Sequence, residues 1–280
     1  MSMEGKICMV TGANSGIGKA TVIGLAKLNA KVIMICRNQE IGEKVRKEII
    51  SQTGNKNIDL LLCDLSSQDQ VRKLVDEFKN KYQKLDVLIN NAGVMLKKRV
   101  LSVDGIEMNY AVHFLAPFLL TNLLLDVLKK SAPSRIINVA SAAHKRAKID
   151  FNDLQSENKK YRLFIVYGTS KLAEVLFTYE LSRKLEGTGV TANAVHPGVV
   201  NSNLGRDQSK FSQWFARKFF KSPEEGAQTS IYLASSPEVE GITGKYFVNK
   251  QPKESSEESY NEDYAKKLWH AAEEMTKLKL

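Results

Sequence analysis

The feature that most constrains this chain is an alternation. Short runs rich in β-branched and other apolar residues lie at 6–10, 31–36, 58–63, 85–89, 135–139, 190–195 and 244–248. Longer stretches with helical periodicity separate them, at 16–29, 39–52, 68–82, 105–130 and 163–185. The short runs are apolar nearly throughout rather than on every second residue, as in strands covered on both faces. Repetition of this kind predicts an α/β fold: a Rossmann-type doubly wound parallel sheet of about seven strands, with right-handed crossovers placing helices on both faces. No Pro/Gly/Ser-rich linker and no fixed-period repeat interrupts the 280 residues, so 1–280 reads as one domain. Its tail, 255–280, reads as an amphipathic helical extension, with Tyr264, Leu268 and Ala271 at helical spacing.

Composition excludes more than it identifies. At 43% hydrophobic and 26% charged residues the chain is neither disordered nor fibrous. No apolar run reaches the roughly 18 residues of a membrane span; the longest, 118–128, is broken by Thr121, Asn122 and Asp126. The start lacks the ordered charged, apolar and small-residue sections of a signal peptide. Cys8, Cys36 and Cys63 lie inside apolar runs without a CxxC pair, so they read as buried small hydrophobes in a reducing compartment, and a cytoplasmic location is expected. The four histidines are isolated and none pairs with Cys at ligand spacing, so no metal is expected. The net charge of +10, at a pI near 9.3, suits an anionic partner or merely a solvated basic surface. Basic residues are scattered apart from Lys97-Lys98-Arg99 and 144–148, and no nucleic-acid module is present, so nucleic acid is not expected as a partner.

The first strand runs into Thr11-Gly12-Ala13-Asn14-Ser15-Gly16-Ile17-Gly18, and a helix follows. Such a turn lets backbone amides approach a pyrophosphate, and the helix N-terminus adds partial positive charge. The last glycine lets helix and strand pack closely. At the end of the second strand an acid would select a free adenosine ribose, but here stand Cys36-Arg37-Asn38. Arg37 offers a planar fork for a 2′-phosphate, so NADP(H) is the expected cofactor; the simpler reading of Arg37 is a surface charge. Asp64 and Leu65, ending the third strand, suit the adenine region. Asn90, then Asn91, Ala92 and Gly93, end the fourth, with small residues leaving room for the cofactor and amides holding neighbouring backbone in register.

Ser141 follows the fifth strand, and Tyr167 and Lys171 sit four apart, on one face of a helix. A phenol with a pKa of about 10 is a poor acid–base group at neutral pH, and a nearby ammonium favours its phenolate. Ser141 could then hydrogen-bond a substrate oxygen while Tyr167 moves the proton and hydride passes to or from a nicotinamide.

Taken together, TGxxxGxG, NNAG, Ser141, Tyr167-Gly168-Thr169-Ser170-Lys171 and His196-Pro197-Gly198 resemble, in order and over nearly the whole chain, the short-chain dehydrogenase/reductase family. Within it the chain is most similar to the retinol dehydrogenase branch, through Cys36-Arg37-Asn38, Phe118-Leu119-Leu120-Thr121, Ser131 to Val139, Ser170-Lys171-Leu172-Ala173 and Gly226 to Ser230. The resemblance implies NADP(H)-linked interconversion of lipophilic alcohols and carbonyls, retinoid-, steroid- or aldehyde/ketone-like, and it carries Pro197, Gly198, Val200 and Ser202 to the border of the nicotinamide. A non-catalytic NADP(H)-sensing protein is the alternative. Members often bear an N-terminal membrane anchor; with ten residues before the glycine turn, none is expected here.

One position departs from the family pattern. Where a catalytic Asn is usual, this chain has His113, with Pro117 four residues on. The family residue's main-chain carbonyl holds a water that links the lysine to solvent. A helical proline removes one N–H and displaces the carbonyl at i−4, so the His113 carbonyl is expected to lose its helical partner and keep that water. The other reading is a pocket-lining histidine in a weakened or inactive enzyme. Segment 199–222 reads as a substrate lid, with Phe211, Trp214, Phe215, Phe219 and Phe220 largely on one face and Arg217, Lys218 and Lys221 interleaved. That pattern suits a lipophilic substrate, peripheral contact with a membrane surface, or plain packing on the domain. A homodimer through the two long helices is a further expectation, unless 118–128 belongs to the core.

Overall fold

The computed structural model describes residues 2–200 and 220–278. Eight strands form one sheet in the order β3-β2-β1-β4-β5-β6-β7-β8: β1 Ile7–Thr11, β2 Lys31–Cys36, β3 Ile58–Leu62, β4 Val87–Asn90, β5 Ser134–Val139, β6 Val190–His196, β7 Tyr246–Val248 and β8 Gln251–Lys253. The first seven run parallel, and β8 returns antiparallel to β7. β8 is the strand that the apolar pattern does not announce. Its Gln-Pro-Lys is exposed throughout, as an edge strand tolerates. Crossing from β1 to β4 reverses the direction of winding, and at that point the carboxyl ends of the strands open a crevice.

The described helices are α1 Gly16–Lys27, α2 Gln39–Thr53, α3 Gln68–Lys81, α4 Met108–Tyr110, α5 Ala116–Leu123, α6 Leu125–Lys130, α7 Leu163–Lys184, α8 Pro223–Ser235 and α9 Glu262–Thr276. Side chains alternate along the strands between two cores. Met9, Ile33, Leu88 and Ile136 face α3, α5, α7 and α9, whereas Cys8, Val10, Val32 and Met34 face α1, α2 and α8. Helix starts follow from local chemistry: the Asn38, Ser67 and Asn261 side chains cap α2, α3 and α9, and Ser222 and Glu225 form a reciprocal capping box on α8.

The helix read over 105–130 is shorter and interrupted. Gly105 turns at φ +75°, and Glu107 caps α4 by accepting from the Tyr110 N–H. Ala111–Leu115 then form a π-helical turn, closed by a bond from the Ala116 N–H to the Ala111 carbonyl, before α5 begins with Pro117 in its first turn. Backbone at Leu115 and Ala116 stays helical across this boundary, so the wider π-turn just before Pro117 is where the helix accommodates the N–H that the proline lacks. A second break at Leu124 separates α5 from α6. Phe118, Leu119, Leu120, Leu124 and Leu128 are core, not an open dimer face. The inner side of α9 is Ala265, Leu268, Trp269 and Ala272, with Tyr264 and Ala271 at its margins. Trp269 lies 4.9 Å from the Phe118 ring and 5.9 Å from that of Phe177, which ties the C-terminal helix to the same core as α5 and α7.

Candidate active site

The turn after β1 is set by steric necessity. Gly12 has φ +65°, and a Cβ there would sit 2.9 Å from the Ala92 Cα. A Cβ on Gly18 would fall 2.3 Å from the Gly12 carbonyl oxygen, so α1 meets the turn only if residue 18 is glycine. The Asn-Asn-Ala-Gly segment closes the turn from the other side. The Asn91 and Ala92 N–H groups donate to the Thr11 hydroxyl at 2.8 and 3.0 Å, and the Asn91 amide donates to the Thr11 carbonyl at 2.8 Å. Asn90 donates to Asn138 at 2.8 Å and to Thr121, and Asn138 to Thr178, fixing β4 to β5, α5 and α7 within the core.

A cleft of about 500 Å³ begins at this turn. Gly12, Asn14, Ser15, Gly16, Ile17 and Gly18 form one end, and Arg37, Asn38, Asp64 and Leu65 line it beyond β2 and β3. Arg37 is 77% exposed and makes a long ion pair with the Asp64 carboxylate at 3.9 Å. Asn91, Ala92, Gly93, His113, Tyr167, Lys171 and Pro197 line the rest. The glycine turn and the Tyr/Lys helix face, about 150 residues apart in sequence, therefore share one cavity.

Other expected residues stand outside this lining. Ser141 directly follows Ala140, which does line the cleft; its hydroxyl accepts from the Ala143 N–H at 3.2 Å and starts a 3-10 turn over Ala142–Arg146. Gly198 lies against Lys221, and Val200 bridges to Lys221 and packs towards Gly226. Ser202 and the lid residues Phe211, Trp214, Phe215, Arg217, Lys218 and Phe219 fall outside the described residues, while Phe220 is 42% exposed.

His113 is wholly buried and spans two elements. Its Nε2 accepts from the Val94 N–H at 2.9 Å, and its Nδ1 lies 2.8 Å from the Ser170 hydroxyl, which itself donates to the Tyr167 carbonyl. These contacts fix the neutral Nδ1–H form. Burial, reinforced by Lys171, holds its pKa well below 6.5. The side chain thus fastens the segment after β4 to the helix bearing Tyr167, and its ring lies edge-on to that of Tyr167 at 5.4 Å.

Three features were not legible in the motifs. Lys171 Nζ donates to the Val139 carbonyl at 2.7 Å and to Glu174 at 2.8 Å, in a buried ion pair. Burial drives the Glu174 carboxyl up to about 7, although Lys171 opposes the rise. The available signal is a lone acid in the otherwise apolar run Leu172 to Phe177. His144 donates from Nδ1 to the Ser141 carbonyl at 2.6 Å and accepts from the Ser256 N–H at 3.1 Å, joining the serine turn to the C-terminal segment. His196 accepts from the Ala142 N–H at 3.3 Å, and burial lowers its pKa to about 4. Cys36 and Cys63 also line the cleft; burial pushes both thiols up to about 12, so neither is a nucleophile at neutral pH.

A family model described as short chain dehydrogenase matches residues 6–213. Retinol dehydrogenase 13 of Mus musculus is 45% identical over 276 residues, covering 96% of this chain and 83% of that protein. Retinol dehydrogenase 14 of Homo sapiens is 44% identical over 295 residues, covering 99% and 88%. Among solved structures, an uncharacterised protein from Mycobacterium paratuberculosis superposes with a TM-score of 0.81 at 30% identity, over 99% of this chain and 95% of that one. The Pseudomonas aeruginosa RhlG/NADP active-site complex does so with a TM-score of 0.73 at 25% identity, over 92% and 98%.

Proposed function

The chain belongs to the short-chain dehydrogenase family, in its retinol dehydrogenase branch, and on that premise we propose that it interconverts a lipophilic alcohol and its carbonyl with NADP(H), Tyr167 serving as acid and base. As a family member it is an oxidoreductase that takes a nicotinamide cofactor, which leaves no need for the sensor reading. The observation that carries the finer proposal is the continuity of one cleft from the glycine turn, past Arg37, to Tyr167 and Lys171.

The residues present fit a dinucleotide. Gly12 and Gly18 let the turn close on Ala92 and on α1, where any Cβ would collide, so the N-terminal amides of α1 stand at the cleft end, with no acidic residue in the first turn of the helix. Arg37, exposed at the rim and paired only at long range with Asp64, suits a 2′-phosphate. When bound, the nicotinamide supplies or accepts the hydride. Tyr167 holds or takes the proton at its phenolic oxygen, and the ammonium of Lys171, one helical turn on and lining the same cleft, favours the phenolate when an alcohol is to be deprotonated. The Ser141 hydroxyl is proposed to orient the substrate oxygen. His113 positions the Tyr167 helix against the cleft wall through Val94 and Ser170.

The substrate class rests on the relatives: retinol dehydrogenases cover nearly the whole chain at about 45% identity. No described helix is long and apolar enough to cross a membrane; peripheral contact would fall to the lid segment. The test is turnover of NADPH and NADH against retinal, a steroid ketone and short aldehydes, with Tyr167→Phe as control. NADPH-linked reduction of the lipophilic carbonyls, lost in the variant, is the expected result. NADH preference would remove the role given to Arg37, and turnover undiminished in Tyr167→Phe would remove that given to Tyr167.

A further inference from the structure

We propose that Glu174 is a positioning residue that sets how readily Tyr167 ionises: its carboxylate anchors the Lys171 ammonium within the fold and cancels part of the field with which that ammonium favours the Tyr167 phenolate. The inference rests on the reading of Tyr167 as acid and base.

Tyr167, Lys171 and Glu174 stand at i, i+4 and i+7 of α7 and so share one face of that helix. Lys171 Nζ has two acceptors, the Val139 carbonyl at the end of β5 and the Glu174 carboxylate at 2.8 Å. Both side chains of the pair are 5% exposed or less, so water does not screen the interaction. An ammonium paired with a carboxylate is a dipole rather than a free cation, and its pull on a phenolate further along the helix is weaker.

The neighbouring elements leave this pair to itself. The π-turn presents His113, which is held neutral. The turn after β5 presents His144 and β6 ends in His196, both held below the ordinary histidine range by burial. The loop before α4 presents Glu107, which is occupied by Asn109, Tyr110 and Tyr161. The segment before α9 carries Tyr260, beside Tyr179 at 5.5 Å, and α9 buries no charge against α7. Among the described residues, Lys171 is the one charge that bears on the Glu174 carboxyl, and burial raises that carboxyl's pKa against it. On the alkaline side of neutrality, where a phenol titrates, Glu174 is therefore ionised and its negative charge opposes phenolate formation.

Glu174→Gln keeps the shape and an acceptor for Lys171 while removing the charge. Two helical turns separate residue 174 from residue 167, a spacing at which one unit charge moves a midpoint by about one pH unit. The experiment reads the ionisation of Tyr167 from the ultraviolet tyrosinate absorbance of each protein minus its Tyr167→Phe counterpart, and in parallel from the pH dependence of kcat/KM for alcohol oxidation. The expected result is a midpoint shifted to lower pH by about one unit in Glu174→Gln, and a wild-type midpoint in Glu174→Asp, which retains the charge. Should the Gln variant not fold, Glu174→Asn provides the same loss of charge with an amide acceptor still on offer to Lys171, and the same expected shift. Superimposable midpoints for wild type and the neutral variant would overturn the proposal. The absorbance midpoint needs no turnover: a shift there without any alcohol oxidation would sustain the coupling and fault the catalytic reading instead.

Discussion

The two ends of the cleft are built in different ways. At the glycine turn the shape is made by backbone: Gly12, Gly18 and the Thr11–Asn91–Ala92 bonds hold main chain against main chain. At the Tyr167 end it is made by buried polar side chains reaching between elements, His113 from the π-turn to Val94 and Ser170, Lys171 to β5 and Glu174, His144 to Ser256. The first end is defined by what must be absent, a Cβ. The second is defined by groups in one protonation state, and so it answers to pH and to single charges as the first does not.

The largest expected effect is at the second end. Tyr167→Phe should lower turnover by about a thousandfold while leaving dinucleotide affinity within a few fold, because only the proton is lost. Steady-state kinetics beside fluorescence titration of the nucleotide would separate the two, and loss of binding as well would mean that Tyr167 shapes the cleft rather than the chemistry. Gly18→Ala should do the opposite. A Cβ placed 2.3 Å from the Gly12 carbonyl forces the turn apart, and we expect dinucleotide affinity to fall by roughly a hundredfold, about 3 kcal/mol, measured by calorimetry. Unchanged affinity would show that the turn yields freely. Arg37→Ala should cost less, roughly tenfold in NADPH affinity with NADH unaltered, as expected for a charged contact made at an exposed site. An equal loss for both nucleotides would break the assignment of Arg37 to the 2′-phosphate.

The smallest effect concerns acid stability. His113 is neutral in the fold, with a pKa well below 6.5, whereas the unfolded chain takes up a proton near 6.5. The unfolded state therefore binds more protons as pH falls, and folded stability declines by up to about 1.4 kcal/mol per pH unit for this one group. Its Nε2 cannot keep the Val94 N–H once protonated, so the loss begins at the seam between the segment after β4 and α7. Urea midpoints between about pH 7 and pH 5 should fall less steeply in His113→Asn than in wild type. Parallel slopes would show that the seam does not carry the effect.

The difference between the ends also explains what could be read in advance. A doubly wound sheet is written in local terms, apolar runs and caps, and the strand starts and helix periods lie within a few residues of the elements found. The glycine turn is local too, since its steric demand falls on adjacent positions. β8 escaped because a three-residue exposed edge strand carries no apolar signal. The helical pattern places Leu268 on the inner face of α9 and Tyr264 at its margin, as found, but misses Ala265, Trp269 and Ala272, because without the partner surface Tyr264 and Ala271 look as apolar as they do. His113 was legible as a departure, but not its bonds to Val94 and Ser170, which lie 19 and 57 residues away. Glu174 was passed over because a helical acid ordinarily faces water, and only the packing of α7 against β5 shows that this one does not.

The most direct test follows the hydride itself. NADPH carrying deuterium at both C4 positions of its nicotinamide ring, incubated with the protein and retinal, should yield retinol labelled at the new carbinol carbon, with label transfer correspondingly slowed in Tyr167→Phe. Retinol formed without label, or no alcohol from retinal or any other lipophilic carbonyl while NADPH is bound, would contradict the account.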